Sequence, residues 1–175
     1  MAEWQKRVSE YKERLVAINR ITKVVKGGRR FGFAALVVVG NEKGSIGVGA
    51  GKSKQVPNAI KKATQDATRN LVKISLKDGR TLHHDVKGRN GSGKVIMRSA
   101  PAGTGIIAGG PIRAVCDVLG IQDIVAKSVG SANPHNVIKA SIAALLSQAS
   151  PKLLSAMRGK TISEIVSKRE NTKWN

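Results

Sequence analysis

The chain has 175 residues, 41% of them hydrophobic, which allows one ordinary domain or two small ones and excludes wholesale disorder. Lysine and arginine number 31 against 11 aspartates and glutamates, and the net charge of +20 repels itself in a compact state unless a polyanion is near. The single cysteine, Cys116, excludes a disulfide within the chain and a cysteine-based metal site, and fits a reducing compartment.

In chain order, residues 1–16 read as a charged, partly helical arm with no apolar signal core. RITKVVK at 20–26 is β-compatible, and GGRR at 27–30 interrupts it as a turn. FGFAALVVV at 31–39 is strongly β-prone with both faces largely apolar, and it contains the longest apolar run, Phe33 to Val39, far short of the ~20 residues of a membrane span. A soluble, cytoplasmic protein is expected. GNEKG at 40–44 has hairpin-loop composition, and SIGVGAGKS at 45–53 returns as a strand. Gly47, Gly49 and Gly51 share one face of that strand, so another backbone can approach closely there. Pro57 suits the first turn of a helix on which Ile60, Ala63, Ala67 and Leu71 form the apolar stripe. The order β-β-β-α predicts a three-stranded antiparallel sheet backed by one helix.

A second unit follows. ISLKDGRTLHHDVKG reads as strand, turn at Asp78-Gly79 and strand; GRNGSG at 88–93 as a basic turn; KVIMRSA as a strand. APAGTGIIAGG is a glycine-rich loop, PIRAVCDVLG a helix with Ile112, Val115 and Leu119 on one face, and IQDIVAKSVGS a strand. Asn133-Pro134 supplies an N-cap and first helical residue to a helix burying Val137, Ile138, Ile142, Leu145 and Leu146. Residues 151–175 read as a basic tail. The fold class is α+β, with two small two-layer domains; the divisions expected are 1–12 arm, 13–76 and 77–157 domains, and 158–175 tail.

Two glycine motifs mimic nucleotide sites. GVGAGKS at 47–53 leaves three residues between Gly47 and Gly51 where a phosphate-binding loop needs four, and its helix starts too late to cap a phosphate at Lys52. GTGIIA at 103–108, with Asp123 twenty residues after Gly103, fits a loose dinucleotide fingerprint, but Gly109, Gly110 and Pro111 delay the helix that must open inside the motif. His83-His84-Asp85 could be imagined as a metal site, yet strand neighbours point to opposite faces. Cys116 reads as a small buried side chain. No carboxylate cluster has acid–base or ligand spacing, so neither an enzyme nor a cofactor is expected.

The charge is unevenly placed. Residues 1–99 carry 22 basic and 7 acidic residues, whereas residues 100–150 carry 3 and 2. Arg20, Lys23, Lys26, Arg29 and Arg30 surround Gly27-Gly28; Lys52 and Lys54 end the third strand; Lys61, Lys62 and Arg69 lie off the apolar stripe of the helix; Lys87, Arg89 and Lys94 flank a second glycine turn. Glycine lets backbone N–H groups approach phosphate while the cations supply Coulomb attraction. Aromatics are only 3%, which disfavours base stacking and favours recognition of folded RNA by backbone and shape. A free-standing double-stranded-RNA binder and a small nucleotide-dependent enzyme are the alternatives.

NRITKVVKGGRRFGFAALVVVGNEKGSIGVGAGKS, VPNAIKKA, GTGIIAGGPIRAV and KSVGSANPHNVIKA occur in the order in which the family of the fifth protein of the bacterial small ribosomal subunit carries similar segments, and the resemblance spans about residues 12–162. It implies a double-stranded-RNA-binding-like β-β-β-α domain and a C-terminal α/β domain with a left-handed β-α-β crossover. It also implies contact with small-subunit rRNA where head meets body, and with the fourth and eighth small-subunit proteins, in support of assembly and translational accuracy. RNA contact transfers to Lys23, Lys26, Gly27, Gly28 and Arg29, while Arg30 has a less fixed counterpart. The protein interface transfers to Gly103, Thr104, Gly105 and Arg113. Pro111 departs from the small or flexible residue of the family pattern but fits a helix start. The resemblance implies no membrane, no small-molecule substrate and no homo-oligomer.

Overall fold

Pairing, not local propensity, decides the N-terminal segment. The structure, a computed structural model describing residues 11–170, opens with strand β1 (Lys12–Val25) where a helical arm is expected as far as residue 16. β1 pairs antiparallel along its whole length with β2 (Gly28–Gly40), with a bulge between Leu15 and Ala17, so ladder hydrogen bonds override a helix-compatible sequence. Residues 1–10 of the expected arm lie outside the described residues. β3 (Ser45–Ser53) pairs with β2, and the two-residue β4 (Val72–Lys73) makes the sheet four-stranded, in the order β1-β2-β3-β4, rather than three-stranded. The turn between β1 and β2 is shorter than GGRR, because Val25 already pairs with Gly28 and the arginines belong to β2.

Helix α1 (Val56–Arg69) lies on the glycine face of β3. A Cβ added at Gly47, Gly49 or Gly51 would sit 2.1, 2.1 or 2.3 Å from the carbonyl oxygen of Ala67, Ala63 or Ala59 respectively. The match is geometric. Two residues of strand advance about 6.7 Å and four residues of helix about 6 Å, so three glycines and three alanines keep step. Leu71, placed on the helical stripe by its spacing, lies beyond the helix end at Arg69.

Both apolar faces of β2 are covered. Ala35, Val37 and Val39 pack with Ala59, Ala63 and Ala67, while Leu36 and Val38 join a larger core with Val115, Val118 and Leu119 of α2 (Gly110–Leu119). Between them, ISLKDGRTLHHD forms no strand pair. Its isolated bridge, Lys77 to Thr81, closes the Asp78-Gly79 turn, in which both central residues have positive φ. Ile74 and Leu82 are nonetheless buried.

The second sheet contains β5 (Val86–Asn90), β6 (Gly93–Ser99), β7 (Ile106–Ile107) and β8 (Ile124–Gly130), in the order β5-β6-β8-β7. Most of GRNGSG is strand, with only Gly91-Ser92 turning. β7 and β8 are parallel and joined through α2, which forms the β-α-β unit. α3 (Pro134–Ser147) is capped by Asn133, whose side chain accepts from the His135 N–H at 3.1 Å. It buries Val137, Ile138 and Leu145, whereas Leu146 is exposed. The stretch expected as a basic tail carries two helices, α4 (Pro151–Arg158) and α5 (Ile162–Glu170).

The two sheets share a joint. The Glu42 N–H donates to the Val118 carbonyl at 3.1 Å and the Gly44 N–H to that of Leu119 at 3.2 Å, so the β2–β3 loop satisfies carbonyls at the end of α2. A Cβ on Gly120 would lie 2.1 Å from the Glu42 oxygen, and φ at Gly120 is +90°, so only glycine fits there.

Candidate nucleic-acid interface

β3 covers β2 only from Phe33 to Gly40. Beyond that point β1 and β2 continue as a two-stranded ribbon ending at Lys26-Gly27, and every side chain from Thr22 to Val24 and from Arg29 to Phe31 is exposed. Cross-strand partners point to the same face. Lys23 and Arg30 are directly opposite on one face, while Val24 and Arg29 share the other with Thr22 and Phe31. Like charges directly opposite destabilise a ladder, so the Lys23–Arg30 pair favours an anion beside it. The Arg20 guanidinium stacks on the Phe31 ring at 3.8 Å, which fixes its direction at the base of the ribbon.

The remaining basic candidates fall into separate groups. Lys52 pairs with Ala34 on β3, and Lys54 precedes α1. Lys61, Lys62 and Arg69 are exposed on α1, away from its alanine face. Lys87, Arg89 and Lys94 belong to the second sheet, with Arg89 directly opposite Lys94. All are solvent-exposed, so the folded chain presents several cationic patches rather than one continuous site.

The glycine loop is held from beneath. Asp123, only 2% exposed, accepts from the Gly105 N–H at 3.0 Å through one carboxylate oxygen and pairs with the Arg80 guanidinium through the other. The Arg80 guanidinium and then the backbone N–H groups of Gly105 and Gly103 hold its carboxyl below the usual carboxylate range, against the opposing effect of burial. Gly103 and Gly105 have φ of +91° and +73°. Thr104 folds onto Pro101, its hydroxyl donating to that carbonyl at 2.8 Å. Arg113 is exposed on the first turn of α2. The acidic residue that mimics a dinucleotide fingerprint therefore fastens a loop. Neither its role nor Arg80's is visible in sequence, because the contact joins residues 43 apart.

His83 and His84 have partners within the fold. They lie outside any strand, so the alternation of strand neighbours does not apply to them. The His84 ring nitrogen Nε2 accepts from the Ala149 N–H at 3.1 Å, and the His83 ring lies 3.1 Å from the Ser75 hydroxyl. Among the described residues no group of three or more His, Cys, Asp or Glu could hold a metal ion. Burial, and then the neighbouring charge of Asp117, pushes the Cys116 thiol up to about 12, so it is not a nucleophile. No helix among the described residues is long and apolar enough to cross a membrane.

Exposed cations on a ribbon, a helix and a sheet fit a protein of the ribonucleoprotein class. Residues 11–75 match the family model described as ribosomal protein S5, N-terminal domain, and residues 88–158 match the model for the C-terminal domain. The chain is 65% identical over 157 residues to small ribosomal subunit protein uS5 of Pelagibacter ubique, covering 90% of this chain and 92% of that one. It is 58% identical over 161 residues to the uS5 of Ruegeria pomeroyi, covering 92% and 85%, and 60% identical over 162 residues to that of Paramagnetospirillum magneticum, covering 93% and 77%. The chain belongs to the ribosomal protein S5 family. It is a structural constituent of the small ribosomal subunit and not an enzyme.

Proposed function

We propose that the chain neutralises and clamps rRNA at the junction of the small-subunit head and body, and that its Gly103–Gly105 loop and Arg113 meet the fourth small-subunit protein, with the eighth as a further neighbour. The units doing this are residues 13–76 and 77–157. Through these contacts it supports subunit assembly and biases decoding accuracy; no bond is made or broken. The observation that carries this reading is the ribbon beyond Phe33, a two-stranded projection with cations on both faces and the like-charge pair Lys23–Arg30. Phosphate on either side relieves that repulsion. The fastened loop and the low charge of residues 100–150 suit a protein contact.

Arg29→Glu tests the RNA side. In salt-titrated filter binding to small-subunit rRNA it should lower affinity and reduce the slope of log K against log salt by about one. An unchanged slope removes Arg29 from phosphate contact. Arg113→Leu tests the protein side. It should leave rRNA affinity intact and raise misreading of a reporter, and normal accuracy with normal binding of the fourth protein rejects that role.

A further inference from the structure

The second sheet alternates strictly. Val86, Val95, Met97, Ile124 and Ala126 point into the core with α2 and α3, and their neighbours point out. The outward positions are Lys87 and Arg89 on β5, Lys94, Ile96 and Arg98 on β6, and Val125, Lys127 and Val129 on β8, with Ile107 at the β7 edge. The register sets Lys87, Ile96 and Lys127 in one row across the sheet and Arg89, Lys94 and Val129 in the next. No aspartate or glutamate occupies an outward strand position. Asp85, at the rim, lies 3.8 Å from Arg98 in a pair whose side chains are both well exposed.

We infer that this open sheet face is a second RNA-docking surface, which takes the backbone of a double-helical segment and uses Arg98 and Lys127 as phosphate contacts alongside Lys87, Arg89 and Lys94. The inference rests on the reading that the chain binds rRNA through its cations, and it adds the surface and the form of RNA. Three observations select the occupant. Arg89 stands directly opposite Lys94, the same unfavourable like-charge pairing as at the ribbon. The aliphatic side chains are interleaved with cations, Ile96 between Lys87 and Lys127, and Lys127 between Val125 and Val129. A protein-docking surface instead gathers its apolar residues at the centre and is depleted in lysine. Finally, none of the outward residues is aromatic, so unpaired bases have no platform. A shallow sheet cannot enter the deep major groove of A-form RNA but can lie across its wide minor groove and flanking phosphates.

The test uses the full chain and a fluorescein-labelled RNA duplex of about 20 base pairs, long enough for two successive minor grooves. Arg98→Glu with Lys127→Glu should weaken duplex binding about tenfold or more at moderate salt and lower the salt slope by about two, with an unshifted thermal melt. If that melt shifts, Arg98→Gln with Lys127→Gln decides the matter, with a smaller loss expected in the same direction. Unchanged duplex binding in the double variant, with Arg29→Glu still weakening it, overturns the second surface and leaves the ribbon intact. Unchanged binding in both variants removes the underlying RNA reading as well. An equal loss on the single strand of the same sequence contradicts the duplex assignment. Intact duplex binding with lost docking of a neighbouring small-subunit protein assigns the face to protein and overturns the inference.

Discussion

The two sheets handle their faces differently. In the first, the central strand β2 is covered on both sides, by α1 against Ala35, Val37 and Val39 and by α2 against Leu36 and Val38. Its cations are therefore displaced to the ribbon, the strand ends and the outer side of α1. The second is covered on one side, and its cations stand on the strands themselves. The contrast is written in the strands. FGFAALVVV is apolar without interruption, whereas KVIMRS sets Lys94 and Arg98 at outward positions on either side of a short apolar run. A sheet's polarity pattern thus reports how many layers lie on it, and through that where charge can meet a partner.

Substitutions on the doubly covered sheet should have the largest effects. Gly49→Val places side-chain atoms where the Ala63 oxygen lies 2.1 Å from the first added carbon, and backbone on both sides prevents relief. Chemical denaturation should show a loss of about 4 kcal/mol or more, enough to unfold the N-terminal layer. Leu36→Ala, on the opposite face against α2, should cost about 2–5 kcal/mol in the same measurement. If Leu36→Ala costs no more than a surface substitution, the second covering layer is not packed as described.

The loop held by Asp123 sharpens the comparison through pH. Asp123 has a folded carboxyl held below its ordinary value, so its stabilising contribution is present above the unfolded carboxylate pKa of about 3.9 and is lost as pH falls through the lower folded value. Asp123→Asn should flatten that part of the acid-unfolding limb and speed amide exchange at Gly105, leaving amides of the first sheet unchanged. Equal exchange at Gly105 in both proteins would show that the loop is held by other contacts. The smallest effect belongs to Gly27→Ala at the ribbon turn. A Cβ there meets nothing within 4 Å, so stability should change by less than about 0.5 kcal/mol.

What the sequence disclosed follows from the same contrast. The glycine face of β3 was legible because three glycines at alternate strand positions strip one face of side chains, which is useful only where another backbone packs against it. Both apolar faces of β2 were legible, though not which helix covers the second. ISLKDGRTLHHD misled because Ile74 and Leu82 are buried without strand pairing, while the backbone of the segment bonds to a loop and closes its own turn. Leu71 and Leu146 were misplaced because spacing does not register where a helix stops or turns its last residues to solvent. At the interface, the ribbon cations announced themselves by clustering in sequence. Arg98 and Lys127 did not, since they come together only through the register of β6 with β8. Asp123 and Arg80 were hidden for the same reason.

The most direct measurement is the affinity of the purified full chain for small-subunit rRNA across a salt series. Log K should fall linearly with log salt at a slope of about −4 or steeper, as several neutralised phosphates require. A flat dependence, or no binding in dilute buffer, would contradict the claim that the surplus of positive charge exists to hold folded RNA.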